Sequence, residues 1–410
     1  MKLTYKKLGP YIREVVKKNT NLQVEKLLGV SISKKFIPSI ANIIGTDMSN
    51  YKIVQTNQFA YGPVTSRNGD KISIALLNEE DCIVSTSYTV FEIIDTNVLN
   101  PEYLMMWFGR PEFDRYARYM SHGSVREIFG WEELCNTELP IPSISKQLEI
   151  VASYNLLKNK ISQKKALIDN LENLQKMIYK QWFIENNPQP LNYKISEFPE
   201  FVDLRHFVKG SLGGDWGKDE AVGNYNQKVL CIRGTDIPFA KLGMKKNIPT
   251  RFILNKNLSS RKLKQGDIVL EISGGSPVQS TGRPLLITDK LLSIFENNCI
   301  CSNFCRAISL KDSQYFYYFY YFYSHLVYLY DIGKMFSHEN STTGVKNFDL
   351  EGFLDQEKVM LPNLDVLVKY NEYYESIYQK IYHLGVFVEA MESYLDIFVS
   401  KLVLGGENEF

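Results

Sequence analysis

Leu139-Pro140-Ile141-Pro142 stands directly before Ser143-Ile144-Ser145-Lys146-Gln147-Leu148-Glu149-Ile150, and Leu361-Pro362-Asn363 directly before Leu364-Asp365-Val366-Leu367-Val368-Lys369-Tyr370. In both places a proline step halts an extended segment, and an apolar-periodic stretch opens behind it, which reads as a strand end followed by a helix start. Working outward, the same order of features surrounds each step. A hydrophobic strand, a turn-rich loop, an aromatic helix, a small polar loop, the Leu-Pro step and a long amphipathic helix run from about Asn57 to Phe183. They return from about Gly266 to Leu402. A unit this long is no solenoid repeat, whose period is roughly 20–50 residues. One chain therefore presents two similar heads, an arrangement suited to a two-part target.

The helices carry the strongest periodic signal. Alternating steps of three and four from Leu367 meet Tyr370, Tyr374, Ile377, Ile381, Leu384, Val388, Met391, Leu395, Phe398 and Leu402, all apolar. That is the spacing of a coiled-coil seam. The first copy meets Ile150, Tyr154, Leu157, Ile161, Lys164, Ile168, Leu171, Gln175, Ile178 and Trp182, with Lys164 and Gln175 as polar breaks able to fix register. Two helices of matched length, one behind each head, are expected to pair with each other. The order head, helix, head, helix closes with the helices antiparallel, a head at each end and an approximate two-fold axis between them. About 36 residues span roughly 54 Å at a rise of ~1.5 Å. That equals roughly 15 base pairs of B-DNA at ~3.4 Å each, enough for two heads to face major grooves about a turn apart.

The expected fold class is α+β: two globular α/β domains separated by two long helices forming an antiparallel coiled coil, pseudo-two-fold symmetric. The boundaries are 1–144 for the first head, 145–186 for a central helical region, 187–362 for the second head and 363–410 for a C-terminal helical region. Asn187-Pro188-Gln189-Pro190 reads as a linker, because its prolines end the preceding helix. Strands are expected over Asp81–Ser85, Tyr88–Ile93 and Gly266–Leu270. The turn Tyr61–Asp70 and the loop Ser273–Pro284 follow strands at matching places.

Composition is that of an ordinary globular chain, with 44% hydrophobic residues and a formal net charge of +1. A net charge near zero leaves nucleic-acid binding to local patches. One such patch, Lys241 to Lys264, holds eight Lys or Arg and no acid. The nine consecutive aromatics Tyr315 to Tyr323 are too short to span a bilayer before Ser324 and His325 interrupt them, so a buried helix is expected. The six cysteines form no Cys-x-x-Cys. With no signal-like segment ahead of them, a reduced, cytoplasmic setting is expected. Cys299, Cys301 and Cys305 cluster without zinc-finger spacing and read as core residues.

Signatures of independent catalysis are missing from the sequence. No Asp/Glu-x-Lys triplet occurs, Gly217-Lys218 and Gly333-Lys334 lack the Ser or Thr of a phosphate-binding loop, and no Gly-x-Gly-x-x-Gly or His-Glu-x-x-His is present. His122 and His338, beside small polar loops, read as loop or DNA-contact residues. The expectation is a non-catalytic chain with no bound metal.

The duplicated layout resembles the specificity subunit of type I restriction–modification systems. The resemblance rests on the Leu-Pro step with Lys146-Gln147-Leu148-Glu149-Ile150, on Lys7-Leu8-Gly9-Pro10-Tyr11-Ile12, on Trp216-Gly217-Lys218 and on Ile232-Arg233-Gly234-Thr235-Asp236-Ile237. It covers essentially the whole chain. The start of the second long helix departs from the family pattern, with Lys369 where the first copy has Gln147. The resemblance implies two target-recognition domains, each reading half of a bipartite DNA sequence, and helical regions that bind two modification subunits. Those partners would bring S-adenosylmethionine and adenine methylation, and separate motor-nuclease subunits would bring ATP, Mg and cleavage; no cofactor falls to this chain. The rival readings are a coiled-coil adaptor that binds no DNA and a specificity subunit of a methylation-only system.

DNA contacts are expected on the head loops, since loops on a rigid scaffold commonly carry recognition. The first head offers Tyr61, Thr65, Ser66, Arg67 and Asn68, with Ser124 and Arg126 from the later loop. The second offers Ser276, Gln279, Ser280, Thr281 and Arg283, with Thr343 and Lys346. Arg pairs bidentately with guanine, Asn or Gln with adenine, and Ser or Thr suits phosphates and bases. Lys241, Lys245, Lys246 and Arg251 of the basic run would serve the phosphate backbone. Aligning Gly62-Pro63-Val64 with Gly275-Ser276-Pro277 gives unlike loops, hence two different half-sites and not a palindrome.

Overall fold

The computed structural model describes residues 5–39, 46–66, 68–123, 126–185, 200–246, 248–274, 279–296, 298–311, 313–341 and 346–401. The expected linker and Leu402 lie outside them. The chain divides into two compact units, Met1–Lys160 with Glu392–Phe410, and Ile161–Met391. Both cuts fall inside the long helices.

Each Leu-Pro step ends a short strand that pairs antiparallel with the strand opening its own unit. Glu138–Pro140 lies against Tyr5–Lys7, and Lys358–Met360 against Phe201–Asp203. An aromatic helix fastens each step. The Tyr103 hydroxyl donates to the Pro140 carbonyl at 3.0 Å, and Tyr321 to Met360 at 2.5 Å. Tyr103 lies in Pro101–Phe108, where Asn100 caps the first turn and Pro101 follows it. Tyr321 lies in Phe319–Asp331.

Both units then build the same four-stranded antiparallel sheet. In the first the order is Ile12–Glu14, Thr89–Ile93, Phe59–Gly62, Ser73–Leu76, and in the second Val208–Gly213, Cys305–Leu310, Ile268–Glu271, Pro284–Leu286. Alternate residues of one strand point to opposite faces, and here both faces are covered. Phe59, Tyr61, Phe91 and Leu76 join Trp107 and Phe108 in one core, while Ala60, Ala75 and Val90 join Val54 and Val84 in another. Phe59 and Phe91, paired across the strands, stack at 4.8 Å. The second unit repeats the division, with Ile268 and Leu270 toward Tyr321 and Phe322, and Val269 and Leu285 toward Ile232 and Leu291. Each large side chain so buried stabilises by about 1.5–3 kcal/mol.

The aromatic run forms a turn of 3-10 helix followed by Phe319–Asp331, buried along Tyr321 to Leu326. Among the described residues no helix is long and apolar enough to cross a membrane. Cys299, Cys301 and Cys305 lie in core strands as free thiols. Burial pushes each of them up to about 12.

The long helices run Ile144–Lys180 and Leu364–Lys401, the first extended by a π-helical turn, Gln181–Glu185. Every described seam position is buried or half-buried, from Ile150, Leu157, Ile161, Ile168, Leu171 and Ile178 to Ile377, Ile381, Leu384, Val388, Met391 and Leu395. Within the second unit Gln175 donates to the Tyr374 carbonyl at 3.3 Å, and Trp182 packs on Tyr370 and Tyr373. Within the first, Ile150 and Tyr154 share a core with Phe398 and Val399. The early part of one helix thus meets the late part of the other, as an antiparallel pair requires.

The two helix starts are anchored differently. Gln147, fully buried, donates to the Val98 and Pro142 carbonyls at 2.9 and 2.8 Å and accepts from the Asn100 N–H. Lys369 is exposed, and Asn371 takes over by donating to the Tyr317 carbonyl at 2.8 Å.

Candidate nucleic-acid interface

Where the apolar alternation stops, each sheet releases a loop, and a second loop is laced to it by backbone hydrogen bonds. In the first unit Phe129 N–H donates to the Pro63 carbonyl at 2.8 Å, and Thr65 N–H to the Glu127 carbonyl at 2.9 Å. Isolated bridges join Val64 to Ile128 and His122 to Ile128. Gly123 turns the second loop with φ +138°, and a Cβ there would sit 2.1 Å from the Arg126 carbonyl oxygen, so only glycine fits. In the second unit Phe348 N–H donates to the Ile272 carbonyl at 2.8 Å. Ser273–Gly274 pairs with Asn347 and Lys346, which pair in turn with Asn340 and Ser341. Phe129 therefore corresponds to Phe348, Pro63 to Ile272 and Glu127 to Lys346.

This register corrects the alignment drawn through the glycines. Phe59 sits opposite Phe91, and Ile268 opposite Ile308, which makes Glu271 the counterpart of Gly62. Gly275 lies outside the described residues.

The paired loops bring together the polar positions expected from sequence, but not all of them face outward. Ser66 and Arg126 are exposed, and Asn68 is half-exposed with its amide donating to the Val64 carbonyl at 3.2 Å. Gln279, Arg283 and Lys346 are half-buried. The Arg283 Nε donates to the Tyr330 hydroxyl at 3.4 Å, which donates to the Ser280 carbonyl. Arg67, Ser124, Ser276 and Thr343 lie outside the described residues.

Four of the loop expectations are corrected by burial. Tyr61 is fully enclosed among Phe91 and Phe129, and desolvation raises its phenol well above the ordinary value. Thr65 is buried, with its hydroxyl donating to Ser121 at 2.8 Å. Ser280 and Thr281 are buried too, and Thr281 is held by Glu339. These four shape the loops and do not present themselves to a ligand. His338 is likewise buried, 2.7 Å from the Glu357 carboxylate, and is no surface contact.

The selected members of the basic run are also committed elsewhere. Lys241 pairs with Glu172 at 2.7 Å and Lys245 with Glu296 at 3.3 Å. The Glu389 carboxylate accepts from the backbone N–H groups of Lys245 and Lys246, and the Lys246 ammonium lies 5.2 Å over the Phe239 ring. Arg251 is buried, ion-paired with Asp219 and stacked on Trp216 at 4.3 Å. As free phosphate contacts Lys241 and Arg251 are corrected, the first by its pair with Glu172 and the second by burial; Lys246 is exposed, and Lys245 meets only the exposed Glu296.

Sequence reasoning missed the groups that hold the loops. Asp114 accepts from the Ile72 N–H at 3.0 Å and from Lys34 at 2.5 Å, fastening the end of the first loop. Desolvation is the larger influence on Lys34 and lowers its ammonium despite the Asp114 partner. Arg118 pairs with Glu127 at the second loop. Glu271, buried at the root of the second unit's loop, is raised by desolvation against the opposing pull of Arg283. No local motif marks these residues, because their partners lie up to 80 positions away.

No family model matches the chain. It is similar to the specificity subunit of the type I restriction enzyme MjaIX of Methanocaldococcus jannaschii, with 23% identity over 333 residues, covering 78% of this chain and 72% of that one. Its fold is that of the S subunit of a type I restriction–modification system from M. genitalium, with a TM-score of 0.54, 13% identity and coverage of 98% and 96% of the two chains. The HsdS subunit of Thermoanaerobacter tengcongensis overlaps more loosely, at a TM-score of 0.38 and 16% identity over 98% of this chain and 96% of that one.

Proposed function

We infer that this chain belongs to the specificity subunits of type I restriction–modification systems and reads a bipartite, asymmetric DNA target. The observation that carries the reading is the two-loop ribbon built once in each unit on the same sheet, with unlike residues at matching places. Glu127 in one ribbon corresponds to Lys346 in the other, a reversal of charge that suits two different half-sites. Ser66, Asn68 and Arg126 serve one half-site, and Gln279, Arg283 and Lys346 the other. Side chains of these types suit base edges and phosphates.

The long helices scaffold two modification subunits, and motor-nuclease subunits join the full complex. S-adenosylmethionine acts on the modification subunits, ATP and Mg on the motor-nuclease subunits, and we assign no chemical step to this chain. Its buried free thiols suit a reducing cytoplasm. The test is to map methylated adenines in cells with and without the gene. A two-part motif that vanishes with the gene supports the reading; an unchanged methylation pattern overturns it.

A further inference from the structure

A groove of about 550 Å³ lies in the second unit beside the starts of two sheet strands, away from the loop that leaves after Glu271. Lys209, Lys262, Lys264 and Lys311 line it. None of the four has an ion pair among the described residues, and the first three are exposed. The one acid in the lining, Asp267, is buried, and its carboxylate is occupied by the Ser309 hydroxyl at 2.5 Å and the Lys264 N–H at 2.8 Å. Phe316 forms part of the same wall. It is 55% exposed and stacks on the buried Phe319 ring at 5.7 Å with an interplanar angle of 11°, which leaves much of the ring accessible.

Among the described residues the matching place in the first unit is different. The sheet position of Ser309 is there Glu92, and Glu92 neutralises Arg13 at 2.5 Å. Four lysines with no ion pair among the described residues, in a chain of formal net charge +1, are a local concentration of positive charge, and an aromatic face beside them is what an unpaired base stacks on. A duplex keeps its bases stacked on one another and has no use for that face.

We propose that this groove binds a single-stranded nucleic acid, with the four lysines on successive phosphates and one base on Phe316. The proposal rests on the reading of the chain as a DNA-directed subunit, and adds a contact separate from both recognition ribbons.

The experiment is fluorescence anisotropy of the full chain with labelled dT20 and with a random 20-base-pair duplex, across a salt series. Wild type should prefer dT20. The double variant K262Q/K264Q should bind dT20 about tenfold more weakly, with the salt slope reduced by roughly 1.4, since each single-strand phosphate contact contributes about 0.7. Phe316→Ala should weaken binding while leaving the slope unchanged, because stacking releases no counterions. All three side chains are exposed, so thermal unfolding should be unaltered. Equal affinity of wild type and K262Q/K264Q for dT20, a preference for the duplex, or displacement of dT20 by an octaglutamate peptide at lower concentration than by unlabelled dT20 would each overturn the proposal. The methylation motif in cells separates this from the broader reading. Groove variants should keep the motif, whereas a wild type with no motif would overturn the specificity assignment and leave the anisotropy result standing.

Discussion

Glu339 and Lys346 meet between adjacent strands of a three-stranded ribbon at 3.0 Å, and Glu339 is only 8% exposed in its side chain. Its other oxygen accepts from the Thr281 N–H at 2.6 Å and the Thr281 hydroxyl at 3.0 Å. One carboxylate thereby holds both loops of the second unit. Glu339→Leu leaves the half-buried Lys346 ammonium without its partner and the buried Thr281 N–H without an acceptor, and the second of these is the costlier. The expected result is a methylation motif degenerate in one half and intact in the other. Glu339→Gln keeps an acceptor for Thr281 and should show a milder form. A motif unchanged in the Leu variant would count against the positioning role.

The exposed and the buried arginines should behave differently. Arg126→Ala should cost about 1–3 kcal/mol of specific DNA binding if it reads a base, with no change in melting temperature. Arg251→Ala should instead destabilise the fold by roughly 2 kcal/mol, since it removes a buried side chain that stacks on Trp216 and donates to the Trp216 carbonyl. Binding isotherms and thermal melts of the two variants check this, and a reversed pattern would mean that the burial-based assignment is wrong.

The helices were legible in the sequence because their seam depends only on spacing along the chain, and none of the described seam positions is exposed. The three strands expected from sequence, at Asp81–Ser85, Tyr88–Ile93 and Gly266–Leu270, were legible for a similar reason: they are buried on both faces, so their apolar runs are nearly continuous. The exposed edge strands Ile12–Glu14 and Val208–Gly213 carried no such signal. Individual loop residues were not legible. Ser66 and Thr281 belong to one chemical class, yet the first is exposed and the second fully buried. Charge misled in the same way. Lys241 looks free until Glu172, 69 positions earlier, is folded against it. Glycine matching put Gly62 against Gly275, while strand register puts it against Glu271, where a long acidic side chain occupies the place of none.

Stability should depend on pH through His325. Its Nδ1 lies 2.6 Å from the Tyr179 hydroxyl, and burial lowers its pKa to about 4 against the opposing pull of the Lys358 backbone. The unfolded chain takes up a proton near pH ~6.5, whereas the folded chain resists until about 4. The unfolded state therefore binds more protons between those values, and stability falls as pH drops through that window, by at most roughly 3 kcal/mol. Urea unfolding of wild type and His325→Gln at pH 7.5, 6 and 5 tests the point. Between pH 7.5 and 5 the difference between the two curves should narrow, since the variant lacks this proton uptake. A difference independent of pH would exclude His325 as the source.

The second long helix should tolerate nothing larger than glycine at position 385. Gly385 is buried, and a Cβ built there lies 2.0 Å from the Leu242 carbonyl oxygen, a backbone atom that cannot swing aside. Glycine inside a helix costs about 1 kcal/mol relative to alanine, so in an open position Gly385→Ala would stabilise. Here the clash reverses the sign, because the helix or the 241–243 turn has to move. The expected loss is about 1–3 kcal/mol, read as a lowered urea midpoint. Lys380→Ala, exposed on the same helix, should change the midpoint little and serves as the control. A stabilised Gly385→Ala variant would show that the turn and the helix do not approach this closely.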